Sequence, residues 1–161
     1  MDTIIYRPIG IIHTPFKEPE GTPVQPSAAV GSTGTIEVFP DYADGLKDID
    51  GFSRLMLLYH FHRSGNAKLR VIPFMDTREH GIFAVRAPSR PNPIGISVVR
   101  LIHVRDTVLT VEDIDILDGT PLLDIKPYVP QFDSFETAHI GWLEHTINSL
   151  PRARDDGRFS E

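Results

Sequence analysis

The stretch Ser97-Val98-Val99-Arg100-Leu101-Ile102-His103-Val104-Arg105-Asp106-Thr107-Val108-Leu109-Thr110-Val111 reads as two apolar, β-branched runs joined by a short polar bend. That is the pattern of an antiparallel hairpin turning at Arg105, Asp106 and Thr107. Upstream, Ser53 to His62 is apolar at both parities, with Leu55, Leu57, Tyr59 and Phe61 on one face and Met56 and Leu58 on the other. Such a strand is expected to be covered on both sides. Working outward, the same logic predicts strands at Ile4 to Ile12, Gly34 to Phe39, Leu69 to Pro73, Ile82 to Arg86 and Leu122 to Ile125. Ser97 to Val104 and Val108 to Ile116 are the arms of the hairpin. Short apolar segments punctuated by 12 Gly and 14 Pro predict a mainly β fold, a single small β-barrel that is closed or nearly so.

Helical signals are few. Tyr42 to Ile49 predicts a turn or two before Asp50 and Gly51. From Asp133, the spacing of Ala138, Trp142, His145 and Ser149 with Ile140, Leu143 and Ile147 predicts a short C-terminal amphipathic helix ending before Pro151. One domain over residues 1–150 is expected, followed by a polar tail, 151–161, with little to bury and a tendency to fray.

With 161 residues, 40% of them apolar and 24% charged, the composition is that of a soluble globular protein large enough to hold one core without staples. The absence of cysteine excludes thiol nucleophiles, thiolate zinc sites and iron-sulfur clusters. Met1 to Pro8 has no basic region leading into an apolar stretch, and no apolar run approaches the roughly 20 residues that span a bilayer, so a cytoplasmic protein without a membrane partner is expected. The net charge of -6 is unevenly spread: residues 1–50 carry -5, residues 51–105 carry +7 and residues 106–161 carry -8. The basic middle is either a solvated face balancing acidic flanks or a surface for phosphates.

That middle third contains Arg86-Ala87-Pro88-Ser89-Arg90-Pro91-Asn92-Pro93-Ile94-Gly95-Ile96-Ser97. Three prolines within six residues predict a stiff loop that holds Arg86, Ser89, Arg90 and Asn92 in place. Two permanent cations and two small polar groups suit a carboxylate, a phosphate or a base edge; equally, the loop reads as a rigid barrel lid whose arginines pair with acidic flanks. A second loop, Glu112 to Pro121, has four carboxylates near an Asp118-Gly119 turn signal and suits either turn chemistry or a ligand cation or hydroxyl. His60 and His62 share a strand face at the end of Ser53 to His62, but no third ligand stands at a recognisable spacing, so a polar strand end over a pocket is the favoured reading over a metal site. Gly10 to Phe16 leads into a long loop through Gly21 to Ser27, with no apolar periodicity. P-loop, GxGxxG, GxSxG and HExxH motifs are absent, which argues against nucleotide hydrolysis and serine acyl chemistry.

Taken together, Gly10 to Phe16 with Gln25-Pro26, the Phe61-His62 strand end, GIFAVRAPSRPNPIG at Gly81 to Gly95 and DGTPLLDIKPY at Asp118 to Tyr128 resemble the TsaA-like (TrmO-type) tRNA methyltransferases over roughly residues 4–130. The resemblance implies a single β-barrel and S-adenosylmethionine as cofactor. It also implies methylation of N6 of N6-threonylcarbamoyladenosine beside the anticodon of tRNA, and a homodimer with the cofactor site close to the subunit boundary. Carried over residue by residue, it implies a cofactor pocket of Gln25, Pro26, Ser27, His62, Arg63, Arg86, Ile96, Asp113, Ile114, Asp115 and Ile116. Arg90 is expected to contact RNA phosphate or the threonyl carboxylate. Asp118, Tyr128 and Asn92 are the candidates to assist loss of the acceptor proton. Ala87 departs from the hydroxyl residue common in the family motif. Two other classes stay open on the residues alone: a metal-dependent, cupin-like barrel enzyme, and a non-catalytic module that binds cofactor or RNA.

Overall fold

The computed structural model describes residues 3–160. Six strands close into an all-antiparallel barrel in the order β1-β2-β7-β6-β3-β8, where β1 is Gly10–His13, β2 Thr33–Val38, β3 Arg54–His60, β6 Ile94–Arg105, β7 Val108–Glu112 and β8 Thr120–Pro127. The small strands β4 (Arg70–Val71) and β5 (His80–Gly81) pair with each other beside it. Closure leaves no barrel edge open to another chain. Period-2 alternation fills the barrel: Ile12, Ile36, Leu55, Leu57, Val99, Leu109, Val111 and Leu122 are all buried in one cluster. Met56 and Leu58, on the outer face of β3, are half-covered. Among the described residues no helix is long and apolar enough to cross a membrane.

The hairpin of β6 and β7 forms as expected, with Arg105 paired to Val108 across a two-residue turn in which Asp106 has φ 53°. Other strand predictions needed trimming. Residues 4–9 are not strand: Ile4 and Ile5 are 75% and 81% exposed and pair with nothing, and pairing begins where Ile9 N donates to Leu122 O at 2.8 Å. Ile82 to Arg86 is a 3-10 turn (Ile82–Ala84), because Ile82, Val85 and Ala87 all turn inward to a second apolar cluster rather than alternating. Leu69 to Pro73 shrinks to the two residues of β4. The predicted turn near Tyr42 is a 3-10 helix, Pro40–Leu46. The helical region near the C-terminus is short and broken: α1 (Pro130–Asp133), then 3-10 helices at Gly141–His145 and Ile147–Arg152.

The expected strand Val108 to Ile116 ends at Glu112 for a local reason. Asp113 takes φ 62°, accepting a hydrogen bond from Gly31 N (3.0 Å) on one oxygen and from Arg54 Nη2 (3.2 Å) on the other. That kink sends the chain inward, so that Ile114 and Ile116 enter the core and Asp115 between them faces a cavity.

The tail does not fray. Residues 154 and 160 form isolated bridges with Pro23 and Ser64, and Phe159, 4% exposed, packs with Val71, Ile82, Val85 and Ala87. Phe159 supplies the apolar anchor that the polar composition of the segment concealed.

Candidate active site

At one mouth of the barrel, the end of β3, the starts of β6 and β8, the early loop and the proline loop surround a cavity of about 220 Å³. A second cavity of about 670 Å³ lies beside it, under the C-terminal 3-10 helices. Val24, Gln25, Phe74, Arg86 and Ile96 line both. A ligand pocket is commonly about 300–1,000 Å³, so these two adjacent cavities together offer room for a molecule of cofactor size.

The proline loop is held in place as its composition predicts. Phe61 N donates to Pro93 O (2.8 Å), Lys68 N to Ser89 O (3.0 Å), and the Arg90 guanidinium to the carbonyls of Val85 (3.1 Å) and Ala87 (3.3 Å). Arg90 therefore folds the loop on itself while lining the smaller cavity. Gly95 lies beneath the rings of Tyr59 and Phe61, which meet edge to face at 5.4 Å; a Cβ there would run into the Tyr59 ring and lie 2.8 Å from Phe61 Cζ. The glycine of RPNPIG is thus required by close approach of aromatic rings rather than by a turn.

Arg86, at the start of the loop, donates to Gln25 Oε1 at 3.0 Å and so bridges the loop to the early segment where the two cavities adjoin. Deeper, Tyr59, Ser97 and Asp115 form a chain: Tyr59 Oη lies 3.0 Å from Ser97 Oγ, which donates to Asp115 Oδ1 at 2.6 Å. Because the Ser97 proton goes to the carboxylate, Tyr59 must donate to Ser97. Burial pushes the Asp115 carboxyl up to about 6 against the opposing effects of Ser97 and Arg86, and burial also raises the Tyr59 phenol, which stays protonated.

His62 Nδ1 lies 3.2 Å from Thr120 Oγ1, whose own proton is given to Leu117 O at 2.7 Å. Nδ1 is therefore the protonated nitrogen and Nε2 is the acceptor. Desolvation first, then Arg63 and His60, hold His62 below its ordinary value, keeping it neutral at physiological pH. Arg63 is anchored by Glu18 at 2.9 Å. Among the described residues no three His, Asp or Glu side chains gather as a metal site would need, around His60 and His62 or elsewhere.

Of the residues expected at the cofactor, Gln25, His62, Arg63, Arg86, Ile96, Asp115 and Ile116 line the smaller cavity, and Pro26 and Ser27 join Gln25, Arg86 and Ile96 in the larger. Asp113 and Ile114 are not brought there; the first makes the kink and the second fills the core. Asn92 is exposed on the proline loop. Asp118 lies outside the lining but beside it, with Lys17 Nζ at 2.7 Å and Thr14 N at 3.0 Å; those bonds hold its carboxyl below the usual range. Tyr128 follows the far end of β8, where its N–H meets Arg54 O at 3.1 Å; at strand rise it is roughly 25 Å along the chain from Thr120. Sequence reasoning missed Phe61, Phe74, Tyr59 and Asp155 in the wall. Tyr59 and Phe61 were legible as apolar strand residues, whereas nothing in the spacing marks Asp155.

A permanent cation, a buried carboxylate and an apolar wall at the mouth of a closed barrel define a binding site for a small zwitterionic ligand with an apolar body. Residues 11–134 match the tRNA-methyltransferase O N-terminal domain, and the chain belongs to that TrmO family. It is similar to a probable S-adenosyl-L-methionine-binding protein of Pyrococcus abyssi, 61% identical over 156 residues that cover 97% of this chain and 85% of that protein. The tRNA (adenine(37)-N6)-methyltransferase of Escherichia coli is 33% identical over 154 residues, 89% of this chain and 66% of the enzyme. The crystal structure of TrmO from Pseudomonas aeruginosa superposes with a TM-score of 0.73 at 38% identity, covering 88% of this chain and 63% of that one. The chain thus spans less than two thirds of the length of that solved relative.

Proposed function

We propose that the chain is an S-adenosylmethionine-dependent methyltransferase acting on N6 of N6-threonylcarbamoyladenosine beside the anticodon of tRNA. The observation that supports the cofactor reading most is the Arg86–Gln25 bridge at the junction of the two cavities, with Asp115 below it. The acceptor follows from the motif resemblance and from a relative named for N6 methylation of adenine 37 in tRNA. The +7 charge of residues 51–105 supports an RNA partner through its phosphates.

The residues fit the cofactor. Arg86 would hold its carboxylate, exchanging a neutral amide partner for a charged one. With the cofactor bound, Val24, Pro26, Phe74 and Ile96 would supply apolar wall for its adenine, and His62 Nε2 would be an acceptor for an amino N–H. Asp115 answers positive charge. When bound, S-adenosylmethionine supplies an electrophilic methyl group on a sulfonium, which leaves alignment of the acceptor as the chief task of the protein. The acceptor nitrogen bears a purine and a carbonyl, so its proton must be held or removed. Asp118, paired with Lys17 beside the cavity, is our candidate to hydrogen-bond that N–H, with Asn92 on the proline loop as the other. Arg90 has guanidinium donors beyond those used on Val85 and Ala87 and offers them to the threonyl carboxylate or a phosphate. Tyr128 reaches this chemistry only from the second subunit of a homodimer, which is the assembly we propose, in the cytoplasm.

Titration calorimetry with S-adenosylmethionine on the wild type and Arg86→Ala, followed by single-turnover methyl transfer to tRNA with and without the threonylcarbamoyl group, tests the reading. Expected are binding that Arg86→Ala weakens tenfold or more and transfer only to the modified tRNA. Absence of binding by the wild type overturns the cofactor reading, and transfer to unmodified tRNA overturns the acceptor.

A further inference from the structure

The part of the chain that matches the family ends at residue 134, yet Asp155 and Ser160 form part of the smaller cavity's wall. The segment is pinned on both sides. Gly21 N donates to Asp155 O (2.7 Å) and Asp155 N donates to Thr22 O (2.8 Å), fixing this backbone to the early loop. Four residues on, Phe159 O accepts from Gly65 N (2.9 Å) and from the buried Ser89 Oγ (3.1 Å), and its ring meets Phe74 edge to face at 5.0 Å. Between these anchors Gly157, at φ 85°, turns back so that its N–H donates to Asp155 Oδ1 at 2.7 Å. The carboxylate is therefore oriented as well as located.

What it lacks is a cation. Among the described residues Asp155 takes part in no ion pair, and neighbouring Arg158 is occupied by Asp156. Burial first, with the neighbouring Asp156 charge, holds the Asp155 carboxyl above the ordinary range against the opposing effects of Gly157 N and Arg158. The cations of the cavity wall are unequal: Arg63 is engaged by Glu18 and Arg90 by carbonyl groups, while Arg86 hydrogen-bonds the neutral Gln25 and acts on Asp115 through its charge. An amino-acid moiety entering with its carboxylate on Arg86 needs an anion for its ammonium. The cavity wall has two carboxylates, each with one oxygen already engaged, Asp115 by the Ser97 hydroxyl and Asp155 by Gly157 N.

We propose that Asp155 binds the ammonium group of the amino-acid end of S-adenosylmethionine, and that Arg154–Ser160 is a built strap that completes the cofactor cavity. The inference rests on the cofactor reading above. It makes a segment outside the family match a determinant of cofactor affinity.

The test is calorimetric binding to the full chain, wild type and Asp155→Asn, of three ligands: S-adenosylmethionine, S-adenosylhomocysteine and the des-amino analogue of S-adenosylhomocysteine. Asn keeps the acceptor for Gly157 N, and circular dichroism melting checks that the strap stays docked. The expected result is affinity about five- to tenfold weaker for the first two ligands and unchanged for the des-amino analogue. Loss confined to S-adenosylmethionine would place Asp155 at the sulfonium and overturn the assignment, as would equal loss for all three or no loss for any. Wild-type protein that binds neither S-adenosylmethionine nor S-adenosylhomocysteine overturns the cofactor reading itself, an outcome distinct from an Asp155→Asn variant that binds like wild type.

Discussion

Asp115→Asn should stabilise the protein at neutral pH while impairing the site. Its carboxyl is held at about 6 in the folded chain against an ordinary 3.8, chiefly by burial. Because the folded value lies above the unfolded one, the ionised side chain opposes folding, and the penalty appears as pH rises. About two pH units at roughly 1.4 kcal/mol each give a penalty near 3 kcal/mol once the pH is well above 6. By the same linkage it is about 1 kcal/mol at pH 4.5 and fades below 3.8. Asn has the same shape and still accepts from Ser97 Oγ, so the Tyr59–Ser97 chain survives the change. Urea unfolding of both proteins at pH 4.5 and 7.5 should show the variant more stable at both, by a margin that grows with pH. Calorimetry at pH 7.5 should show weaker S-adenosylmethionine binding. A margin independent of pH, or a variant less stable at pH 7.5, would refute the argument that this carboxylate is kept at the expense of stability.

Three further outcomes follow from the geometry. Gly95→Ala drives a methyl group into the Tyr59 ring and should lower stability by about 2–3 kcal/mol, seen as a fall in Tm; an unchanged Tm would mean that the rings can retreat. Phe159→Ala empties the anchor of the strap and should lose about 3 kcal/mol in urea unfolding, whereas a frayed tail would show no change. Asp118→Asn keeps an acceptor for Thr14 N and loses a partly exposed ion pair with Lys17, so stability should move by less than about 1 kcal/mol, while the single-turnover methyl-transfer rate should fall at least about tenfold; an unchanged rate removes Asp118 from the acceptor site.

The barrel was legible because its strands carry the signal that sequence reports best: period-2 burial and a two-residue polar bend between β-branched runs, as in β6 and β7. Residues 4–9 and Ile82–Ala84 misled for one reason. Both are apolar, and apolar content alone cannot distinguish a paired strand from an exposed lead-in or from a tight turn with inward faces. The site was legible where stiffness is written in composition. Proline fixes the loop that presents Arg86, and the place of Gly95 within the motif coincides with the Tyr59 and Phe61 rings above it.

The remainder depended on contacts distant in the chain. Asp113 and Asp115 are two residues apart and look equivalent in the run Glu112 to Asp118, yet one is spent holding Gly31 and Arg54 and the other faces the cavity. The difference is the positive φ of Asp113, which converts a continuing strand into an inward turn and places alternate residues in core and cavity. The C-terminal segment carries the same lesson at longer range. A polar run has no reason to dock until one aromatic residue finds a pocket, and Phe159 does so against Val71, Ile82 and Val85. Once it is docked, the position of Asp155 is set by bonds to Gly21 and Thr22, more than 130 residues away in sequence. A carboxylate held there by backbone bonds, in no ion pair among the described residues, is the group that the proposal above assigns to the cofactor.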